Sequence, residues 1–374
     1  MKRIIVAPEP AAWLTHLLAD SAAMRDTVVF APWALPKLPL PPWVPARVSS
    51  ALHRREVQHC AVRSVPGFTL LDAALRRMDS ARALAWRLRQ RVLLDALVAT
   101  AVDDDVREIV APSLSALRTF AAAPRAERIL IEDLPGLRQL HADLDAAARA
   151  LPEGRFLRNY RASDTHLVRQ EQEYVLATRV KVRGRWAQQR AIRAGASRTN
   201  LEVLDLPAAS RGPALRHDPS SRCVLLAGNT ASRFGLEIAL AALRELPELT
   251  LLCRPGEGSQ SDGVKDPRVA FLDGSPLPPV RAVIAPSWVE SLPPELTAAV
   301  DAGIPIIATS RALGWIEPSR RTVVEIPPGD ARALAAALRI LSAEPPAGSA
   351  GRGSWHGCSI DRPSQCRGRN GTDS

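Results

Sequence analysis

Cysteine is scarce in this 374-residue chain, and the five that occur, Cys60, Cys223, Cys253, Cys358 and Cys366, are scattered and odd in number. No C-x-x-C pair is present to suggest zinc or redox work, and reduced, cytoplasmic thiols are the simpler reading. No metal and no cofactor are therefore expected. Aromatic residues make up only 4% of the chain, with 2 Tyr and 6 Phe. That is too few rings for a base-stacking platform of the single-strand-binding kind. With no zinc-finger, RNP or homeodomain-like pattern either, nucleic acid is not an expected partner. Long apolar runs are also missing. None approaches the roughly 18 residues that span a bilayer, so membrane contact is expected to be peripheral. The opening MKRIIVAPEPAAWL is interrupted by Glu9 and two prolines before a signal-peptide core could form, and reads as a first strand.

What is present is charge, unevenly placed. The net charge of +10 is carried by residues 1–200, while 201–374 is close to neutral. A basic half suits nucleic acid, anionic lipid or a phosphorylated substrate, and composition alone does not choose among them. The length suits two domains. Strand-like and helical segments alternate throughout, the pattern of parallel α/β domains. In the first half, strands are expected at Arg3–Ala7, Thr27–Phe30, Glu108–Val110 and Arg128–Ile131. A helix over 80–102 places Leu84, Leu88, Val92 and Ala96 on one stripe and Arg82 and Arg89 away from it.

Proline and glycine mark the breaks. The segment APWALPKLPLPPWVPARV, 31–48, is too rich in proline for a central strand or helix. Its Trp33 and Trp43, with Lys37, Arg47, Arg54 and Arg55 nearby, suit either an anionic membrane interface or a cover over the domain. Residues 201–222 hold a strand and then a Pro-, Ala-, Ser- and Gly-containing run suited to a linker. Beyond 343 apolar periodicity ends, and 344–374 reads as a disordered tail. The expected plan is an N-terminal acceptor- and membrane-facing domain at 1–200, a linker at 201–222, a C-terminal domain at 223–343 and the tail.

The most informative stretch is VIAPSWVESLPPELTAAVDAGIPIIAT, 283–309. Its apolar run ending at Pro286–Ser287 reads as a buried parallel strand, Glu295 to Ala302 has the composition of a helix ended by Gly303, and another strand begins at Pro305. Glu290 thus falls just past the carboxyl end of a strand, where open α/β sheets bind ligands. An exposed loop acid or a charge at a helix start is the competing reading.

Several pieces around it occur in a recognisable order: Asp205–Leu206–Pro207, the strand Val224–Gly228, Gly235 opening a helix, LTLLCRPGEG at 249–258, Pro286–Ser287 with Glu290, a Gly 13 residues after that Glu, and IPPGDARALAAALRIL near the end. Together they resemble the donor-nucleotide domain of GT-B glycosyltransferases, especially the retaining family 4 group, over roughly 200–342. The resemblance implies two Rossmann-like domains facing a cleft and a nucleotide sugar as donor. In physical terms, backbone amides at a glycine-opened helix start plus a cation can hold a pyrophosphate. The implied donor-binding residues are Gly228, Arg233, Gly235, Ser287 and Glu290, with Glu290 reaching the donor sugar and the Gly314–Trp315 turn nearby.

The sequence departs from that family where cations and carboxylates matter most. Asn229 and Phe234 stand where Arg and Lys are usual, so Arg233 must act from the neighbouring position. Ala298 replaces the second Glu, which contacts the ribose, and Pro8-Glu9-Pro10 replaces a glycine pair after the first strand. An inverting reaction would instead need a base on the acceptor side. Asp133, in RILIEDLPG, is the first candidate and Glu9 the weaker one, against the alternative that such strand-end acids are helix caps. His141 and His166 read as ordinary helix or surface residues. The chain also resembles xanthan-type mannosyltransferases of bacterial exopolysaccharide assembly. That implies GDP-mannose, a polyprenyl-pyrophosphate-linked oligosaccharide acceptor, and peripheral, anionic-lipid contact on the inner face of the cell membrane. The departures favour a second reading, a non-catalytic GT-B-like subunit that binds a partner or nucleotide.

Overall fold

The computed structural model describes residues 2–9, 12–18, 26–32, 60–63, 80–133, 136–154, 157–158, 161–182, 184–203, 214–255, 264–272, 276–291, 293–313 and 322–343. The Trp33/Trp43 loop, residues 204–213 of the expected linker, the Gly314–Trp315 turn and the tail lie outside the described residues.

Apolar β-branched runs build the strands. In the first half these are β1 (Lys2–Val6), β2 (Thr27–Phe30), β3 (Ala61–Arg63), β4 (Val106–Pro112), β5 (Glu127–Ile131), β6 (Arg179–Val182) and β7 (Leu201–Val203). They pair in the order β3-β2-β1-β4-β5-β6-β7. The second half forms β8 (Cys223–Asn229), β9 (Thr250–Arg254), β10 (Val269–Phe271), β11 (Ala282–Ala285), β12 (Ile306–Thr309) and β13 (Val323–Ile326), in the order β10-β9-β8-β11-β12-β13. Every pairing in both sheets is parallel. A parallel strand is covered by helices on both faces, which is why Ile4, Ile5, Val6, Ile109, Val110, Leu130, Ile131 and the whole of β11 and β12 are buried. Two doubly wound α/β domains result.

The strand order reverses between β1 and β4 in the first sheet and between β8 and β11 in the second. These are the switch points where such sheets open a crevice at their carboxyl ends. Glu9 and Ser113 follow β1 and β4; Thr230 and Ser287 follow β8 and β11.

The helices that matter for the site are α2 (Ser80–Ala99), α3 (Leu117–Ala122), α4 (Leu137–Ala150), α5 (Asp164–Leu176), α6 (Gly184–Arg193), α7 (Leu236–Arg244), α8 (Pro294–Asp301), α9 (Ser310–Leu313) and α10 (Ala331–Ala343); α1 (Ala12–Leu17) packs on the first sheet. The stripe expected on α2 is rotated. Its fully buried residues are Leu88, Arg91, Leu94, Asp95 and Val98, whereas Val92 and Ala96 are half-buried. The rotation puts two charged residues into the interior, where each has a partner. Asp95 accepts the backbone N–H groups of Arg118 and Thr119 at 2.8 and 2.9 Å and pairs with Arg169.

Candidate active site

In the second sheet, the chain leaves β8 through Gly228, which has φ +95°, and re-enters a helix through Gly235, with φ +81°. Both values lie in the left-handed region that favours glycine. A Cβ on Gly228 would meet the Phe234 ring at 3.1 Å, and one on Gly235 would overlap the Pro286 carbonyl. These glycines therefore let the 228–235 loop close against the loop after β11. Hydrogen bonds finish the junction. Trp288 N–H donates to the Arg233 carbonyl at 3.0 Å, and Ser287 Oγ lies 3.1 Å from that carbonyl and 2.8 Å from the carbonyl of Val289. Thr309 Oγ1 donates to the Ser287 carbonyl at 2.8 Å. Ser287 is buried, and its hydroxyl organises the loop. The Arg233 guanidinium lies over the Phe234 ring, 4.8 Å from its centroid. Asn229 accepts the N–H of Ala231 at 3.0 Å, so it shapes the loop.

Glu295, in the first turn of α8, is buried beneath this loop. Its carboxylate accepts Gly228 N–H at 3.2 Å and pairs with Arg254 Nε at 2.8 Å. Ala298 lies farther along α8, where a second carboxylate was the family expectation.

Glu290 crosses to the other domain. Its Oε2 pairs with Nη1 of Arg190, on α6. Nη2 of the same guanidinium lies 2.9 Å from Glu132, the residue just past β5. Glu132 also accepts the hydroxyl of Tyr174. Burial pushes the Glu132 carboxyl above its ordinary pKa, against the opposing pull of Arg190 and the Tyr174 hydroxyl. Gly136 makes room for the arrangement, since a Cβ there would run into the Arg190 side chain. A second pair of opposite sense links the domains, Asp143 on α4 with Arg311 on α9 at 2.8 Å. Burial also raises the Asp143 pKa, with Gln139 and Arg311 opposing it. Glu290 is thus neither a helix-start charge nor an isolated loop acid.

In the first sheet, Arg91 joins the two residues expected as candidate bases, Glu9 past β1 and Asp133 past β5. Arg91, 2% exposed, donates through Nη1 and Nη2 to both oxygens of Asp133 at 2.9 and 2.8 Å, to the Ser113 carbonyl at 2.9 Å and to Glu9 at 3.3 Å. Burial works against the Arg91 charge, but Asp133 and Glu9 outweigh it and hold the group above its usual pKa. The two candidates differ in their surroundings. Both Asp133 oxygens are engaged by a buried guanidinium, whereas Glu9 keeps a 42% exposed side chain. Taking a proton on Asp133 would break a bidentate pair; the contact between Arg91 and Glu9 is longer, at 3.3 Å.

Sequence reasoning did not find Arg91, Arg190 or Glu173. Glu173, on α5, holds the loop after β4 by accepting N–H groups of Leu114, Ala116 and Leu117 at 2.6, 3.0 and 3.1 Å. That loop includes Leu114 at φ 70°, unusual for a branched residue. Burial lifts the Glu173 pKa to about 7 despite those amides and Arg169. His141 accepts the Ala162 N–H at 3.0 Å and His166 bonds Ser163 at 2.6 Å, both local contacts. Among the described residues no group of His, Cys, Asp and Glu is arranged to hold a metal, and no helix is long and apolar enough to cross a membrane.

Two parallel α/β domains meeting at their strand ends define a GT-B architecture. Solved structures share it at low sequence identity. Sucrose-phosphate synthase from Thermosynechococcus elongatus matches with a TM-score of 0.61 and 16% identity, covering 91% of this chain and 90% of its own. Anabaena HepE, in complex with UDP and glucose, matches at 0.52 and 18%, covering 91% and 89%. The lipopolysaccharide outer core galactosyltransferase WaaB matches at 0.52 and 13%, covering 91% and 90%. Neither the known family models nor the curated protein sequences contain a match to this chain.

Proposed function

We propose that the chain is a glycosyltransferase that takes a sugar from a nucleotide donor held at β8–β11 and passes it to an acceptor held at β1–β4. The observation that carries this reading is the meeting of Glu290, from the donor-side loop, with Arg190 and Glu132 of the other domain. Glu290 lies past β11 and Glu132 past β5, and this closeness of the two strand ends supports the reading. Anabaena HepE, described in complex with UDP-glucose, and the galactosyltransferase WaaB support the class through shared architecture.

In this reading, the 228–235 loop and Arg233 bind the donor diphosphate. Glu290 orients the sugar, and Glu9 removes the acceptor proton if the configuration inverts. The finer proposal is transfer of mannose from GDP-mannose to a polyprenyl-pyrophosphate-linked oligosaccharide in exopolysaccharide assembly, on the inner face of the membrane. The basic first half and the resemblance to xanthan-type enzymes support it. A panel of radiolabelled GDP-mannose, UDP-glucose and UDP-galactose, with bacterial membranes as acceptor, tests it. Label should enter the lipid-extractable fraction from GDP-mannose. Label entering only from a UDP sugar overturns the mannose proposal, and no transfer from any donor overturns the enzyme reading.

A second reading is favoured by Asn229, Phe234 and Ala298, and by the engagement of Glu290 with Arg190: a non-catalytic subunit that binds nucleotide or a partner. Calorimetric binding of a sugar nucleotide without turnover on any lipid-linked acceptor would favour it.

A further inference from the structure

The donor loop is poor in cations for the ligand assigned to it. A nucleoside diphosphate brings about two negative charges, and the segment 228–235 contains one cation, Arg233, stacked on Phe234. The next strand carries a second. Arg254 is the last residue of β9, and the β8–β9 ladder sets it level with Asn229, the last residue of β8. Both residues therefore stand at the carboxyl edge of the sheet, beside the loop.

Glu295 connects them. Its buried carboxylate divides its two oxygens between Gly228 N–H, at 3.2 Å, and Arg254 Nε, at 2.8 Å. Three groups share that negative charge: Arg254, the Gly228 amide and the amino end of α8, in whose first turn Glu295 lies. The anchored atom is Nε, and the Arg254 side chain is 45% exposed, whereas the Glu295 side chain is 1% exposed. A guanidinium anchored through Nε on a partly exposed side chain is suited to gripping two phosphate oxygens at once.

We propose that Arg254 supplies the second cation for the diphosphate of a nucleoside diphosphate donor, held in orientation by Glu295. The assignment rests on the donor reading above and adds a residue to it. Glu295 acts through Arg254 and the Gly228 amide as a positioning residue. The assignment also accounts for the tolerance of Asn229 and Phe234 in the loop: the compensating charge comes from the adjacent strand.

Calorimetric titration of the full chain with UDP and GDP, and separately with uridine and guanosine, tests the assignment without requiring turnover. Arg254→Gln should weaken diphosphate binding by about tenfold or more and leave nucleoside binding unchanged. Arg254→Lys, which keeps the charge but loses the fork, should fall between that variant and wild type. Because Arg254→Gln leaves Glu295 with less compensation, the double variant Arg254→Gln/Glu295→Gln serves as a neutral counterpart. It should bind nucleoside as wild type does and diphosphate as weakly as the single variant. Unchanged diphosphate affinity in Arg254→Gln overturns the assignment. So does a parallel loss of nucleoside and diphosphate binding in both variants, which would make the residue structural. Failure of the wild-type chain to bind any of the four ligands overturns the donor reading, and this assignment with it.

Discussion

Arg190 holds Glu290 from across the domain boundary, and the same guanidinium holds Glu132 on its own side at 2.9 Å. The two carboxylates differ in exposure: the Glu132 side chain is fully buried, while that of Glu290 is 22% exposed. Their variants should therefore separate. Glu290→Gln should lower turnover at least tenfold, about 1.4 kcal/mol of transition-state stabilisation, with little change in Tm. Arg190→Gln should also destabilise the fold, by about 3 kcal/mol or more, because it strands a buried carboxylate. Steady-state kinetics and thermal unfolding of both variants decide the matter. Wild-type kcat/KM in Glu290→Gln would remove Glu290 from the site.

The Arg91 cluster makes a similar distinction between the candidate bases. Asp133→Asn should cost on the order of 3 kcal/mol of stability, since it halves a buried bidentate pair. Glu9→Gln should leave Tm within about a degree or two, because surface substitutions rarely exceed about 0.5 kcal/mol. It should depress kcat, with donor KM unchanged. If Glu9→Gln turns over normally, the base lies elsewhere or the reaction retains configuration.

Arg233→Ala should raise donor KM more than acceptor KM, because a cation beside a diphosphate stabilises bound substrate and transition state alike. A rise in acceptor KM alone would mean that the 228–235 loop serves the other substrate.

Glu173 imposes a pH dependence on stability. Its folded pKa, about 7, lies above the ordinary 4.5, so the folded state binds the proton more tightly than the unfolded state. The contribution from Glu173 protonation is complete below about pH 4.5 and is lost as pH rises toward 7. Denaturant titrations between those limits should show this slope, and Glu173→Gln should flatten it. A slope unchanged in that variant would assign the dependence to another group.

How far the sequence carries depends on the range of the interaction. Strands such as KRIIV and ERILI announce themselves because burial on both faces demands continuous apolar runs. The placement of Gly235 at a helix start and of Glu290 past a strand was legible because spacing within one segment carries it. Arg91 reads as one of several arginines on a helix, and only its bond to Asp133, 42 positions away, gives it a role. Arg190 and Arg254 are illegible for the same reason, since their partners Glu290 and Glu295 lie far along the chain. The α2 stripe was misplaced because an apolar count assigns Arg91 and Asp95 to solvent, and their burial depends on partners supplied by other elements.

Among the described residues, two ion pairs between the domains run in opposite directions: Arg190 faces Glu290, and Asp143 faces Arg311. At these two points each half presents a cation or an anion to the other, in a fixed order. An asymmetric key of this kind constrains modular exchange. A C-terminal half transplanted from a relative with the same architecture would keep both contacts only if it brought a carboxylate opposite Arg190 and a cation opposite Asp143. A half with those signs inverted would set like charges against each other at both points, and in a chimera its sequence identity to the original would matter less than these two side chains.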